Sequence, residues 1–564
     1  MMSFKHMRAF GAIAVFAVVA AVFAVNARNE LVRFDDLEYI AQNPHIKDGL
    51  TPRSVFWAMT TVGYAANWHP LTWISHAADV TLAKAMGLGY AEEPNPIGMW
   101  ARVASPMACF IHIENVAWHA SNAVLLYLVL LSLMDACSTG GRQRLSAVTL
   151  AVFCTLFWAV HPLRVEVVAW ASERKELLGV FFALLSMLTY LAGDGSRPCT
   201  IFFSLLFFAL SLLAKPVAVG FPLVLVAVEI FRGETRWRVL AERSSPYVLL
   251  AGCVCLLTLL AQRGAMSQGT AFPFKTRIGM ILAAPAVYLR QTLWPSGLCA
   301  DYAMLTKADW PWVVAGGVLH LTVGALVAFG VRAVKSGSRS CLIPLLVAWC
   351  YVCLLPMIGI VKVGYQPHSD RYTYWIGCGL SACLAIALFK AEPFWRSMAD
   401  VFALIAVALL GILGGLSVAQ SRIWRDNVSL MTDMVRKSRS PFMAQVLASE
   451  FVIRGQSGRA EEMLRELVAK NPCAYSYGAL AWHMARRDEN AEAESLADRA
   501  LRQDPHCTFA LGAMGLVAKN RREYAKAIGY LEESLKGNSD FELATALEEC
   551  RGKIERDGQG RDEP

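Results

Sequence analysis

The chain has 564 residues, of which 56% are hydrophobic and 17% are charged, and its mean hydropathy is +0.41. Soluble domains carry about 25% charged residues, so the composition excludes an ordinary soluble protein and predicts a polytopic membrane protein with a soluble appendage. The net charge of +8 requires no nucleic acid as partner, because membrane proteins concentrate Lys and Arg in their cytoplasmic loops.

The first apolar segment, 8–26, is followed at once by an unusual pair of carboxylates, Asp35 and Asp36. The segment reads as a cleavable signal peptide or, given its length, as a retained membrane anchor, which we favour. In both cases Asp35 and Asp36 lie outside the cytoplasm. Adjacent carboxylates repel each other, so we expect one of them to act as a base or a cation ligand. The alternative is a solvated acidic turn.

Further apolar segments bring the predicted number of spans to about eleven. A twelfth apolar segment, 278–294, is assigned as a re-entrant or interfacial helix. Counting it as a span would place Arg332, Lys335 and Arg339 outside the cytoplasm, against the positive-inside rule. On this count the C-terminal region lies outside as well. The further spans are predicted at 104–134, 145–160, 177–192, 200–213, 217–231, 247–261, 312–330, 342–360, 374–389 and 401–419.

The predicted outer surface collects most of the ionisable side chains near the membrane. The first outer loop, 27–100, is long and contains two helix-start signals, Thr51-Pro52 and Pro70, which predict short helices on the outer leaflet. Later outer segments carry the charged runs 161–176 and 368–372. In the second span, polar side chains at spacings of three and four share one helix face and should face a cavity rather than lipid; they are His112, Asn115, His119 and Asn122.

Carboxylates beside several cations at an outer membrane face suit sugar transfer from a polyprenyl-phosphate carrier. An Asp would deprotonate the acceptor hydroxyl, and Arg or Lys would stabilise the charge on the leaving phosphate. For each residue alone a structural role, such as contact with lipid head groups, is a serious alternative. The collection of acids, guanidiniums and imidazoles on one side favours the catalytic interpretation.

From about residue 440 the chain becomes charged and Ala-rich. Asn471-Pro472 and Asp504-Pro505 lie 33 positions apart, and Gly537-Asn538 follows 33 positions later. This period predicts about three tetratricopeptide repeats with a capping helix at 541–554. Such an array forms a concave surface, so we expect it to bind a protein; a purely structural array is the alternative.

The ordered set of motifs resembles the transmembrane and tetratricopeptide-repeat (TMTC-like) protein O-mannosyltransferases and their bacterial relatives, which belong to the GT-C class of membrane glycosyltransferases. The resemblance implies a polyprenyl-phosphate sugar donor, an acidic residue in the first outer loop as the catalytic base and, in eukaryotic members, a protein acceptor. It leaves the use of a divalent cation open. The motifs are Asp35-Asp36, Asn67-Trp68-His69-Pro70-Leu71, Ser75-His76, His119-x-x-Asn122, His161-Pro162-Leu163-Arg164-Val165-Glu166, Trp170, Ser172-Glu173-Arg174-Lys175, Lys215-Pro216, Trp294-Pro295 and Asp370-Arg371-Tyr372-x-Tyr374.

We therefore predict an all-α chain, a GT-C-like membrane bundle followed by a short tetratricopeptide α-solenoid. The domains are 1–422 in the membrane, a linker at 423–439, the repeats at 440–556 and a disordered tail at 557–564. The catalytic base is Asp35 or Asp36. Arg164, Arg174, Lys175 and Arg371 are assigned to the donor phosphate, and Glu166, His69 and His119 to the sugar or the acceptor.

The predicted setting is a bacterial inner membrane, with the repeats on the periplasmic side and a protein or envelope glycan as acceptor. Two other functions remain open. A non-catalytic scaffold would use its repeats to recruit envelope proteins, and its outer charges would contact lipid heads. A transporter of lipid-linked saccharides would place charges in the middle of several spans, whereas here they gather at the outer ends.

Overall fold

A computed structural model describes residues 4–88, 106–135, 141–193, 197–263, 274–302, 310–336, 341–358, 368–438, 441–536 and 541–559. Throughout these ranges the regular structure is helical and contains no β-strand, which confirms the all-α prediction. The described chain divides into two compact units, one ending at Asp426 and the other beginning at Asn427.

The helices of the first unit begin where the local sequence provides caps. The Thr51 side chain accepts a hydrogen bond from the backbone of Ser54 and so caps α2, and Pro70 occupies the first turn of α3, both as predicted. The helices are α1 Phe4–Phe23, α2 Pro52–Thr60, α3 Pro70–Ala85, α4 Pro106–Asp135, α5 Gly141–Ala159, α6 Val165–Ala169, α7 Arg174–Ala192, α8 Pro198–Ala214, α9 Phe221–Phe231, α10 Trp237–Ala261, α11 Phe274–Leu293, α12 Trp310–Lys335, α13 Leu342–Leu354, α14 Thr373–Lys390, α15 Glu392–Trp395 and α16 Ala399–Ile423.

Seven helical segments within the described ranges are long and apolar enough to cross a membrane, which indicates an integral membrane protein. An eighth span results if the pair Leu145–Ala159 and Pro162–Ala169, bent by 59°, is counted as one broken span. The remaining predicted spans, 200–213, 217–231 and 342–360, fall on shorter apolar helices. The seven segments are Phe4–Arg28, Pro106–Asp135, Ala171–Ala192, Trp237–Ala261, Trp310–Lys335, Asp370–Lys390 and Glu392–Ile423.

The helices of the first unit differ in how much of their surface the unit covers. Most of α4 and α7 is buried, whereas α12 and α16 expose most of their apolar side chains. The polar face of α4 lies inside the bundle, and His112, Asn115, His119 and Asn122 are all fully buried. The segment 278–294 belongs to the 20-residue helix α11, which is not among the candidate spans.

The second unit consists of helices joined by short turns. The segment predicted as a linker, 423–439, is helical from Asn427 to Ser438. Small residues, chiefly Ala, fill the interior between the helices and allow close packing. The helices are α17 Asn427–Ser438, α18 Pro441–Ile453, α19 Ser457–Lys470, α20 Ala474–Arg486, α21 Asn490–Gln503, α22 Thr508–Asn520, α23 Tyr524–Leu535 and α24 Phe541–Gln559.

One backbone feature recurs in this unit at the period read from the sequence. Residues 455, 488 and 522, spaced 33 and 34 apart, each have a positive φ, at 73°, 59° and 63°. After each of them the next amide donates to a carbonyl five residues earlier, at 2.8, 3.1 and 2.8 Å. This is the left-handed helix ending that glycine favours, yet only the first position is Gly; the others are Asp488 and Arg522. The second unit thus repeats one helix-pair geometry.

Candidate functional site

Side chains from four distant parts of the first unit meet in one network of opposite charges. The Lys175 ammonium lies 3.0 Å from Asp35 and 3.3 Å from Glu173. Lys215 lies 2.9 Å from both Glu173 and Glu176. Arg371 pairs with Glu166 at 2.5 Å and lies 3.7 Å from Glu173. These seven residues form the charged cluster: Asp35, Glu166, Glu173, Lys175, Glu176, Lys215 and Arg371.

Asp36 anchors the segment that follows α1 to the turn that precedes α7. One of its carboxylate oxygens accepts a hydrogen bond from the backbone N–H of Val32 at 2.9 Å, and the other accepts from the N–H of Ser172 at 2.8 Å. The side chain is fully buried. Burial raises the pKa of Asp36 to about 7, although both backbone hydrogen bonds favour the ionised form. Asp36 therefore acts as a clamp between two segments that are 140 residues apart.

Asp35 has the opposite environment, although it is the adjacent residue. Its side chain is 43% exposed, and among the described residues it pairs with the Lys175 ammonium alone. The Asp36 clamp fixes the backbone beside it, so the Asp35 carboxylate is held at the solvent-facing edge of the charged cluster. Of the two predicted acids, only Asp35 can meet an incoming molecule without rearrangement of the backbone.

Glu173 is the shared partner of the cluster's cations. It is almost fully buried and contacts Lys175, Lys215 and Arg371. Three cations around one carboxylate leave a surplus of positive charge. Asp35, Glu166 and Glu176 offset it, because each pairs with one of the three cations. Burial lowers the pKa of Lys215, but Glu173 and Glu176 outweigh it, and the net pKa is raised. Lys215 is therefore a cation at neutral pH, and its side chain is 17% exposed.

His69 and Tyr39 line the cluster beneath Lys175. The Tyr39 hydroxyl lies 3.3 Å from Nδ1 of His69, and the Lys175 ammonium lies 4.5 Å from the centre of the Tyr39 ring. Burial lowers the pKa of His69 well below its usual range, and Lys175 and Lys215 lower it further. The His69 imidazole is therefore neutral and adds no positive charge to the cluster.

Arg164 lies beside the cluster and holds the turn that carries Arg371. Its guanidinium donates to the backbone carbonyl of Thr373 at 2.8 Å and to the Thr373 hydroxyl at 2.6 Å. The close fit depends on Gly377, because a Cβ there would lie 3.2 Å from the Arg164 guanidinium and closer still to the ring of Trp158. Arg164 thus acts on Arg371 through the backbone of the intervening turn.

Two predicted site residues belong to other networks. Arg174 is fully buried; it pairs with Asp79 at 3.1 Å and Glu114 at 2.9 Å, and its Nε donates to Asn115. Both ring nitrogens of His119 are also occupied, by the Tyr374 hydroxyl at 2.7 Å and the Ala159 carbonyl at 3.0 Å. The structure therefore brings together Asp35, His69, Glu166, Lys175 and Arg371, and it separates Arg174 and His119 from them.

An apolar cavity of about 290 Å³ opens beside Arg164. Arg164 and Thr373 are among its few polar lining residues, and most of the lining surface is apolar. Side chains of five helices contribute to that lining, among them Trp158, Tyr288, Val323, Leu354 and Ile376. A cavity of this shape suits a hydrocarbon chain whose polar end lies near the charged cluster.

The sequence analysis includes Lys215 and Glu173 in its motifs and Glu176 in the charged run 161–176, but assigns none of the three a role in the site. The signal was present in the Lys215-Pro216 pair, since a Lys that ends an apolar helix needs either water or a carboxylate partner. Within the described residues, no group of three or more His, Cys, Asp or Glu side chains is placed to hold a metal ion. Comparison of the sequence with protein-family models and with curated proteins found no match.

Proposed function

We propose that this chain is a membrane glycosyltransferase that moves one sugar from a polyprenyl-phosphate carrier to a hydroxyl acceptor at the non-cytoplasmic face. The observation that carries the proposal is the charged cluster itself. A partly exposed carboxylate, Asp35, lies 3.0 Å from Lys175, and two further partly exposed cations, Lys215 and Arg371, follow in the same network. An acid beside several cations is the arrangement that this reaction requires.

Asp35 is the proposed general base. Its carboxylate takes the proton of the acceptor hydroxyl while that oxygen attacks the anomeric carbon of the donor sugar. Asp36 is unsuitable for the role, because both of its oxygens are already held by the amides of Val32 and Ser172. Its contribution is to fix the position of Asp35. The attack breaks the bond between the anomeric carbon and the phosphate oxygen, and the polyprenyl phosphate leaves with the bonding electrons.

Lys215 and Arg371 are the proposed partners of the leaving phosphate. Their side chains are 17% and 13% exposed, whereas that of Lys175 is 6% exposed. Positive charge fixed in position before the reaction stabilises the phosphate charge without the cost of reorienting solvent. Arg371 can in addition bind phosphate through two parallel hydrogen bonds. Glu166 holds the Arg371 backbone N–H at 3.0 Å and its guanidinium at 2.5 Å, and so orients it.

The apolar cavity beside Arg164 supports a lipid-borne donor. A polyprenyl chain in this cavity could have its phosphate near the turn that carries Arg371, since Arg164 and Thr373 of that turn line the cavity. The branched methyl groups of a polyprenyl chain fit a lining rich in aromatic and branched side chains. A soluble nucleotide-sugar donor would have no use for a cavity of this chemistry.

The proposal includes the finer architecture read from the sequence. Eleven spans result when the bent pair and three shorter apolar helices are counted with the seven long segments. The second unit is a tetratricopeptide solenoid on the periplasmic side of an inner membrane, and the recurring left-handed turns at 455, 488 and 522 support this assignment. Its role in the proposal is to recruit a protein of the cell envelope.

The test compares two adjacent carboxylates in the purified full chain. With radiolabelled polyprenyl-phosphate mannose, the donor that the resemblance implies, and polyprenyl-phosphate glucose in vesicles, Asp35→Asn should lower the rate of transfer by about 10²- to 10⁴-fold. Asp36→Asn should keep transfer within about tenfold of wild type wherever the protein remains folded. Thermal unfolding of both variants reports the fold. Full activity of Asp35→Asn would refute the assignment of the base, and transfer by neither donor in wild type would refute the function.

A further inference from the structure

A second apolar groove lies between α1, α5 and α16, in the part of the first unit that faces lipid. Its volume is about 460 Å³. Every side chain that lines it is apolar, and three of the lining residues are glycines of α16: Gly411, Gly414 and Gly415. No site residue predicted from the sequence lies in this groove.

The groove is open because α16 lacks side chains there. A Cβ added at Gly411 or Gly415 would meet no atom within 4 Å, and one at Gly414 would only touch Val22 at 3.5 Å. Gly411 and Gly415 are four residues apart and share one helix face. The apolar side chains elsewhere on α16 are mostly exposed, so the groove opens toward the acyl chains of the bilayer.

The last turns of α5 separate this groove from the cavity assigned to the donor. Leu156 and Val160 line the groove, whereas Phe157, Trp158 and His161 line the cavity. The chain then bends by 59° into the segment Pro162–Ala169, which carries Arg164 and Glu166. The groove and the cavity therefore lie on opposite sides of the end of α5, and the segment that follows carries Glu166 of the charged cluster.

Two exposed arginines stand beyond one end of the groove. At 1.5 to 2 Å per residue, Arg28 lies about 10 Å beyond Val22, and Arg422 lies about 6 Å beyond Val418. A hydrogen bond of 2.8 Å from the Glu30 amide to the Arg425 carbonyl joins these chain ends, so both arginines are at the same end. Both are exposed, and no ion pair links either of them to another described residue.

The same end of the groove adjoins the charged cluster. The ring of Trp424, which follows α16, stacks on the ring of Trp170 at 5.8 Å between centres. On Trp170 the guanidinium of Arg371 lies 5.3 Å from the ring centre, and the ammonium of Lys175 lies 5.6 Å away. Ser421, one turn beyond Ser417 on α16, is fully buried, and its hydroxyl has no hydrogen-bond partner in the described structure.

We propose that this groove holds a hydrocarbon chain of an anionic membrane lipid whose phosphate lies between Arg28 and Arg422. The apolar lining selects the chain, and exposed guanidiniums select the phosphate. The next step rests on the proposed function: the lipid is the acceptor, and its head group presents the hydroxyl that Asp35 deprotonates. The new glycosidic bond then forms on a glycolipid, and the polyprenyl phosphate leaves into the cavity on the other side of α5.

The first experiment measures lipid binding alone. Native mass spectrometry of the purified full chain, titrated with phosphatidylglycerol and with phosphatidylcholine of the same acyl chains, should show at least tenfold tighter binding of the first phosphatidylglycerol. The double variant Gly411→Leu/Gly415→Leu should abolish this preference, and so should Arg28→Gln/Arg422→Gln. Gly252→Leu is the matched control, because its added side chain also enters open space on an apolar helix, α10, outside the groove.

Unchanged binding in the glycine double variant, or in the arginine double variant, would overturn the proposed site. The surface arginine variant also guards against misfolding of the glycine variant, since it leaves the packing of α16 intact. Loss of polyprenyl-phosphate binding in the glycine variant would overturn the proposal too, because the groove would then belong to the donor.

The second experiment follows the product in vesicles that contain a phosphorylated glycolipid with free hydroxyls. Label from the polyprenyl-phosphate sugar should appear in the lipid extract of wild type, and Gly411→Leu/Gly415→Leu should lower it at least tenfold while slow release of free sugar to water persists. Label that remains with protein would overturn the acceptor assignment. If wild type consumes no donor at all, the proposed function fails, and the binding titration still decides the groove.

Discussion

Replacement of Asp36 by Asn should remove a dependence of stability on pH that the buried carboxylate imposes on the first unit. The pKa of Asp36 is about 7 in the folded chain against an ordinary value of 3.8. At about 1.4 kcal/mol for each pH unit, complete ionisation lowers the free energy of unfolding by about 4 kcal/mol. Because the folded-state pKa is raised, this stability is fully present below pH 3.8 and is lost as the pH rises through 7.

Between pH 5 and pH 8 the loss for wild type is about 3 kcal/mol. The Asn side chain has the shape of a protonated Asp and cannot ionise, so Asp36→Asn should escape that loss. Its amide hydrogens face one of the two backbone donors, Val32 or Ser172, which costs the variant about 1 kcal/mol at pH 5. The variant should therefore be the less stable protein at pH 5 and the more stable one at pH 8.

The assay is thermal unfolding of the detergent-solubilised full chain at pH 5, 6, 7 and 8, reported as the difference in Tm between variant and wild type. Using the difference cancels the titration of all other groups. Asp35→Asn is the matched control, because it removes the adjacent carboxylate and leaves the Asp36 clamp in place; its difference from wild type should lack the crossing. A Tm difference for Asp36→Asn that stays constant across this range would refute the reasoning.

Three further substitutions test the two units, one in the first and two in the second. Glu173→Gln should lower the unfolding free energy by about 3 to 5 kcal/mol, because Lys215 and Arg371 keep their charge and lose a buried partner. Thermal unfolding without denaturant measures this change. A loss below about 1 kcal/mol would contradict the prediction. Arg522→Gly should raise the stability of the second unit by about 1 kcal/mol, since φ is 63° there, whereas Gly455→Ala should lower it by a similar amount. Hydrogen exchange of the flanking helices in the full chain reports both changes. Stability changes of the same sign in the two variants would count against the left-handed turns.

The sequence was sufficient to predict two helix starts and the meeting of several charged motifs that lie far apart in the chain. Local chemistry decides the helix starts: a Thr before a Pro caps a helix at Thr51 whatever the rest of the chain does. Hydropathy also located the long spans. It did not show that the helices over 217–231 and 342–360 would be short: the first begins only at Phe221, after a 3₁₀ turn at Pro216–Ala218, and the second ends at Leu354, before a 3₁₀ turn at Leu355–Met357.

Which of two neighbouring residues enters the site lay beyond the sequence. Asp35 and Asp36 have the same chemistry, and only the backbone amides of Val32 and Ser172 decide that Asp36 is buried. Arg174 and Lys175 are also adjacent, but successive residues on a helix point about 100° apart. One therefore meets Asp79, and the other meets Asp35. Both distinctions arise from contacts between segments far apart in the chain.

The clamp at Asp36 also has a consequence for biogenesis. One partner amide belongs to Ser172, so the segment that follows α1 can adopt its final position only after the ribosome has made more than a hundred further residues. Arg371, the last member of the network, emerges later still. An insertion pathway that releases helices in order would thus leave the charged cluster incomplete until nearly the whole first unit has been synthesised.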